Sequence, residues 1–91
     1  MYAIFATAQY MRRARAFLRR HPHLRDRLEQ TVDSLMADPW DPRLGLHRLH
    51  GKLRDAYAVR LTDSHRITLT ILVAEEEVVL LDIGTHDEVY R

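Results

Sequence analysis

The chain has 91 residues, so we expect one small domain over residues 1–91, with a modest core and no deep pocket. It contains no cysteine, which excludes a disulfide framework and a thiolate metal site. No apolar run approaches the roughly 20 residues of a transmembrane helix, and the first residues lack the order of a signal peptide. We therefore expect a cytoplasmic protein with no membrane partner.

The net charge of +1 conceals an asymmetry between two parts of the chain. Residues 1–60 carry twelve Arg and Lys against six Asp and Glu, whereas residues 61–91 carry two against seven. Thirteen of the fourteen cationic side chains are arginine, which binds phosphate through paired hydrogen bonds. Such a surface is typical of a polyanion binder, although a solvated helix face produces the same run of charges.

The first part of the chain predicts a short strand followed by a helical hairpin. The strand spans residues 2–7, and apolar residues then recur at helical spacing at Tyr10, Ala14, Phe17 and Leu18. His21-Pro22-His23 ends this helix, because proline disfavours helical geometry in the preceding residue. A second helix carries one apolar stripe and ends by Asp38-Pro39. The stripe consists of Leu24, Leu28, Val32, Leu35 and Met36.

After a loop marked by Pro39, Pro42 and Gly45, the second part predicts three antiparallel strands packed on the helices, an α+β fold. Each strand alternates between an apolar and a mixed face. The apolar positions are Tyr57, Val59 and Leu61, then Ile67, Leu69, Ile71 and Val73, then Val79, Leu81 and Ile83.

The alternation also predicts the register of the first hairpin. Directly opposed residues share a face, so Leu61 should oppose His65 and Arg60 should oppose Arg66, across the loop Thr62-Asp63-Ser64. This register places two like charges side by side, away from the helices. Either an anion belongs between them, or they separate into water or pair with carboxylates such as Asp82.

Six histidines are many for this length, and four follow the helices: His47, His50, His65 and His86. Imidazole is the side chain best suited to proton transfer near neutral pH. His47 and His50 have the spacing of a shared metal ion, but zinc requires three or four ligands and no suitable third residue is apparent. We expect no metal and no cofactor. His21 and His23 are interpreted as exposed turn residues.

The C-terminal residues 82–91 contain the most specific pattern. Gly84-Thr85-His86 predicts a sharp exit from the last strand, with His86 at the rim of the sheet. Tyr90 follows four residues later, so one helical turn brings its ring to the same side. Taken alone, a terminal aromatic more often anchors the chain end to the core.

In order and spacing, four segments together resemble the RelE/ParE toxin superfamily, nearest to its YafQ-like branch. They are His47-x-Leu49-His50-Gly51, the strand ending near Arg60, Ser64-His65-Arg66-Ile67, and Ile83-Gly84-Thr85-His86-Asp87-Glu88-Val89-Tyr90. The resemblance implies a type II toxin-antitoxin toxin that cuts mRNA on the ribosome, with an antitoxin, mRNA and rRNA as partners. It also implies a mechanism in which the RNA's own 2′-hydroxyl attacks the adjacent phosphate, without a metal.

The same resemblance implies roles for individual residues. His86 resembles the catalytic histidine, Tyr90 the terminal aromatic that stacks on or orients substrate, and His47 a histidine that shares the proton transfer. Arg60 is expected to stabilise transition-state charge and Arg66 to hold the phosphate. Other RNA contacts are expected from His50, His65, Lys52, Arg12 and Arg13.

Ser64-His65 departs from the Asp-Trp pair of the YafQ pattern, so His65 either stacks on RNA or caps the core opposite Leu61. Two alternatives to the nuclease remain. One is a ParE-like gyrase inhibitor without catalysis, which would not need a proton-transfer group at His86. The other is a degenerate module that only binds antitoxin, which the Ser64 replacement favours.

Overall fold

The computed structural model describes residues 1–51 and 55–90. A mixed sheet carries two long helices on one face and a short C-terminal helix on the other. The strands are β1 (Ala3–Ala6), β2 (His47–Arg48), β3 (Tyr57–Arg60), β4 (His65–Leu72) and β5 (Glu77–Thr85). The helices are α1 (Ala8–Arg20), α2 (Arg25–Ala37) and α3 (His86–Val89), with 3₁₀ turns at Pro22–Leu24 and Pro42–Leu44. The predicted α+β fold is confirmed.

Helix α1 begins and ends where its sequence provides the caps. The Thr7 hydroxyl accepts a hydrogen bond from the Tyr10 backbone N–H at 3.1 Å, satisfying a donor that the first turn leaves free. Arg19 and Arg20 occupy the last turn, where positive charge is favourable. Pro22 follows, and α2 starts three residues later, so the predicted helical hairpin is confirmed.

The core lies between the helical hairpin and one face of the sheet. Helix residues Tyr10, Phe17, Leu28 and Leu35 are buried against strand residues that include Ile67. This face, the core face, receives the predicted apolar alternation from Tyr57 to Ile71. The prediction is wrong for Val73, which lies in the turn after β4 and is exposed. Among the described residues, no helix is long and apolar enough to cross a membrane.

The sheet has five strands in the order β1-β5-β4-β3-β2. The antiparallel pairing of β3, β4 and β5 is the predicted meander, and Arg60 opposes Arg66 as predicted. The N-terminal strand β1 joins this meander parallel to β5. At the other edge, β2 pairs antiparallel with β3. With two residues, β2 is too short to show an alternation, and the sequence did not predict it.

The predicted alternation of β5 is wrong before its midpoint. Val78 and Leu80, rather than Val79 and Leu81, are buried in the core. A β-bulge between Thr68 and Leu69 explains the difference, because Thr68 opposes Asp82 whereas Leu69 opposes Leu80. The extra residue, Leu81, restores the predicted orientation of Ile83 on the core face.

Candidate active site

The sheet face opposite the helical hairpin, the open face, brings most of the predicted site residues together. Directly paired residues share a face, so the strand register defines two neighbouring rows across the sheet. The first row is His47, Ala58, Thr68 and Asp82, and the second is Arg60, Arg66 and Gly84.

Helix α3 starts at the edge of this face, and a capping box fixes its first turn. The Thr85 N–H donates to Glu88 Oε1 at 2.8 Å, while the Glu88 N–H donates to the Thr85 hydroxyl at 3.3 Å. The hydrogen bond from the Thr85 N–H lowers the pKa of the Glu88 carboxyl, and the Thr85 side chain, Arg13 and Arg20 lower it further. The box sets where His86, the first helical residue, leaves the strand, so the predicted sharp exit is confirmed.

His86 and Tyr90 lie one helical turn apart and are in contact. Their ring centroids are 4.3 Å apart, and the planes meet edge to face at 77°. The His86 side chain is 65% exposed, so a substrate can reach it. Tyr90 also packs against a small apolar cluster of Leu49, Ala56 and Ala58. The Tyr90 ring thus anchors α3 on the open face and packs between this apolar cluster and the His86 imidazole.

His47 faces the same surface from the edge strand β2. Its Nδ1 lies 3.1 Å from the Gly45 carbonyl oxygen. A carbonyl only accepts hydrogen bonds, so Nδ1 carries the proton and Nε2 of the neutral ring is a free acceptor. This tautomer gives His47 a lone pair suited to removing a proton.

Arg60 and Arg66 are opposed in register, as predicted, but Asp82 does not neutralise them. The buried Asp82 carboxylate lies 3.4 Å from Arg13 Nε and also accepts the Ile83 N–H at 2.8 Å. Among residues 1–51 and 55–90, neither Arg60 nor Arg66 forms an ion pair with a carboxylate. The predicted alternative of a pairing with Asp82 is therefore wrong, whereas an anion between the two arginines and their separation into water both stay predictions.

Solved structures share this arrangement of elements along nearly the whole chain. YafQ from E. coli strain BL21(DE3) superposes with a TM-score of 0.84 at 12% identity, over 100% of both chains. A metal-bound toxin from Helicobacter pylori gives a TM-score of 0.83 at 22% identity, over 99% of this chain and 100% of that one. The RelBE2 toxin-antitoxin complex from Mycobacterium tuberculosis gives 0.73 at 18% identity, over 93% and 98%.

The chain has the RelE/ParE toxin fold. At these identities the likeness is one of fold, and it confirms the fold that the sequence resemblance implied. No family model and no curated protein matches the sequence.

Within this RelE/ParE fold, His65 lies on the opposite face from Arg66. Its ring contacts Phe17 and His21, each at 5.0 Å between centroids, and its Nδ1 is 2.9 Å from the Thr62 hydroxyl. Desolvation lowers the pKa of His65, and the nearby His21 lowers it further. Of the two predicted alternatives for His65, the geometry favours capping the core over stacking on RNA. His21, which we interpreted as an exposed turn residue, is half-buried in this contact.

The remaining predicted RNA contacts are spread around the fold. His50 is exposed beyond the end of β2, and Arg12 is exposed on α1. Arg13 reaches the edge of the open face, because β1 ends opposite Leu80 and α1 crosses the β5 edge beyond that point. Lys52 lies outside the described residues.

Two features of the site were not recognised from the sequence. The capping box had a readable signal, since Thr85 and Glu88 have the spacing of this motif. The contact between Arg13 and Asp82 had none, because it depends on where α1 crosses the sheet. In the described residues, no group of three or more His, Cys, Asp or Glu side chains is placed to hold a metal ion.

Proposed function

We propose that this chain is the toxin of a type II toxin-antitoxin pair and that it cuts mRNA on the ribosome. The observation that carries the proposal is the exposed His86 imidazole, supported by Tyr90 above a sheet face that also presents His47, Arg60 and Arg66. Phosphodiester cleavage needs a proton-transfer group and positive charge on the same surface, and Arg60 and Arg66 form no ion pair within the described residues.

The proposed reaction uses the RNA's own 2′-hydroxyl as nucleophile. His47 Nε2 removes the hydroxyl proton, and the resulting oxyanion attacks the adjacent phosphorus. The bond from phosphorus to the 5′-oxygen breaks, and His86 gives that oxygen a proton. The products are a 2′,3′-cyclic phosphate and a 5′-hydroxyl end. Arg60 and Arg66 offset the negative charge that develops on the phosphoryl oxygens.

An antitoxin partner follows from the same proposal, because a cell that makes this nuclease must keep it inactive. Solved structures with this fold include the DinJ-YafQ complex of E. coli and the RelBE2 toxin-antitoxin complex. We propose that the cognate antitoxin, mRNA and rRNA are the partners of this chain, in the cytoplasm.

The test is induced expression in a bacterium, followed by primer extension on a defined transcript. We expect growth arrest and new 5′ ends within translated codons. The new 5′ ends should be absent when translation of the transcript is blocked. His86→Ala and Arg60→Ala should abolish both effects while the domain stays folded, since both side chains are exposed. His23→Ala is the matched control, because this exposed histidine lies in the 3₁₀ turn between α1 and α2.

Each other outcome contradicts a defined part of the proposal. Growth arrest with intact message points to gyrase or another target, as in the ParE-like alternative. Absence of arrest favours a degenerate module that only binds antitoxin. Toxicity retained by both His86→Ala and Arg60→Ala removes the catalytic assignment.

A further inference from the structure

A cationic pocket separate from the open face lies between α2, the 3₁₀ turn Pro42–Leu44 and the end of β3. Its volume is about 210 Å³, and Arg27, Arg43 and Arg60 line it from three different elements. Gln30 and Ser34 add neutral polar groups to the wall. A water molecule occupies about 30 Å³ in the liquid, so the pocket admits a tetrahedral oxyanion with part of its hydration.

Two of the three guanidinium groups are held in place. Arg27 Nη1 donates to the Leu61 carbonyl oxygen at 3.1 Å, which leaves the other N–H groups of this side chain for a ligand. Arg43 is bound by Asp41 through two nitrogens, with Nη2 2.7 Å from Oδ2 and Nε 3.1 Å from Oδ1.

The pocket carries net positive charge. Hydrogen bonds from Arg43 lower the pKa of Asp41 to about 2, so this residue is a carboxylate near neutral pH. One carboxylate against three guanidinium groups leaves an excess of two positive charges. An anion that enters the pocket therefore meets prepositioned donors and an unbalanced field.

We propose that this pocket binds a backbone phosphate of the RNA strand, outside the bond that is cut. Arg60 connects the two sites, because it lines the pocket and also opposes Arg66 on the open face. An RNA strand that leaves the open face around the end of β3 meets Arg27 and Arg43 next. The identity of the ligand rests on the proposed function, whereas the binding of phosphate does not.

The first experiment asks whether the pocket binds phosphate at all. Inorganic phosphate is titrated into the labelled protein against chloride at constant ionic strength, with NMR detection of the arginine side-chain Nε–H signals. We expect saturable shifts at Arg27 and Arg43 and none at Arg25. The Arg27→Gln variant should lose the shift at Arg43. Absence of a saturable shift in the wild-type protein overturns the proposal.

The second experiment asks whether the phosphate belongs to RNA. The probe is a single-stranded RNA with 2′-O-methyl riboses, which cannot be cleaved by the proposed mechanism. Arg27→Gln should weaken its binding about tenfold, the scale of one charge-assisted hydrogen bond. It should also reduce the slope of log affinity against log salt by about 0.7, the value for one phosphate contact on a single strand.

Arg25→Gln is the matched control, since it removes the same charge from the same helix but from a residue that does not line the pocket. Two positions along a helix differ by roughly 200°, so Arg25 points away from Arg27. Equal effects of the two substitutions overturn the proposal. Phosphate shifts with unchanged RNA binding overturn the RNA assignment and indicate a small anion. If Arg27→Gln weakens binding but the wild-type protein cuts no message, the proposed nuclease fails and the pocket stands.

Discussion

Tyr90 combines two contacts that can be separated by substitution. Its ring supports His86, whereas its hydroxyl is buried and finds no hydrogen-bond partner among the described residues. Tyr90→Phe should therefore retain mRNA cleavage and raise the free energy of unfolding by about 1 kcal/mol, since an unsatisfied buried hydroxyl is lost. Tyr90→Ala should lower cleavage about a hundredfold through misplacement of the imidazole. Primer extension and urea unfolding measure both effects. Loss of cleavage in Tyr90→Phe would instead assign the hydroxyl a chemical role.

Arg66 illustrates a conflict between stability and activity at a single residue. It opposes Arg60 in register, and like charges in this position destabilise a strand pair. Arg66→Gln should raise the free energy of unfolding by about 0.5 kcal/mol. The same change should lower cleavage at least a hundredfold, as for the removal of one charge-stabilising donor. Urea unfolding and single-turnover cleavage test the two halves. A variant that is both less stable and fully active would contradict the assignment.

At the scale of elements, α3 depends on the absence of a side chain at Gly84. A Cβ there would lie 2.9 Å from Glu88 Oε1 and 3.1 Å from Glu88 Cβ, so Glu88 would have to move. Gly84→Ala should break the capping box, lower the free energy of unfolding by about 1–2 kcal/mol and displace His86. We expect cleavage to fall with it, as measured by primer extension on the folded variant.

Thr7→Ala is the control for a general loss of helix capping. The Thr7 hydroxyl accepts a hydrogen bond from the Tyr10 N–H at the start of α1. This variant should lose about 1 kcal/mol of stability and keep its cleavage activity. If Gly84→Ala is as active as Thr7→Ala, α3 does not position His86.

The elements also show which parts of the fold could be predicted from the sequence. The β3–β4 register followed from alternation, because one wholly apolar face and a short loop leave few alternatives. The bulge, in which Leu81 is the extra residue, could not be predicted, since Leu80 and Leu81 are both apolar and fit either face. The pocket between Arg27, Arg43 and Arg60 could not be predicted either, because it depends on the packing of α2 against the end of β3.

The convergence of site residues was predicted mainly through the resemblance to a family. His86 and Tyr90 also followed from helical spacing, which needs no tertiary information. His47 did not, because its position on the open face depends on the two-residue strand β2. Arg13 reached the edge of the site through the placement of a helix, which local pattern does not specify.

At the scale of the molecule, charge is separated along β4 and β5. Arg66 lies near one end of this hairpin, and Glu75, Glu76 and Glu77 lie at its turn. The two ends are about 20 Å apart, from the rise of roughly 3.3 Å per strand residue. The glutamates at the turn and the arginines at the other end set up a field along the sheet, which under the proposed function orients the RNA toward the open-face arginines.

The stability of the whole fold should depend on pH through His65, which joins the end of α1 to the β3–β4 turn. Desolvation is the main cause that lowers its pKa from 6.5, and His21 and Arg20 add to it, while Glu88 opposes them. Between the folded pKa and 6.5, the unfolded chain binds more protons than the folded one. The free energy of unfolding should thus be highest above pH 6.5 and fall as the pH decreases through this window.

Urea unfolding at a series of pH values from 5 to 8 measures this dependence. His65→Gln should flatten the curve below pH 6.5, because a side chain that does not titrate replaces the imidazole. His23→Gln should leave it unchanged, since that ring is exposed and lies 6.0 Å from its neighbour His21. An unchanged slope in His65→Gln would mean that another group carries the linkage. If His65→Gln loses cleavage while the fold is intact at pH 8, His65 contacts RNA, contrary to the position of its ring on the core face.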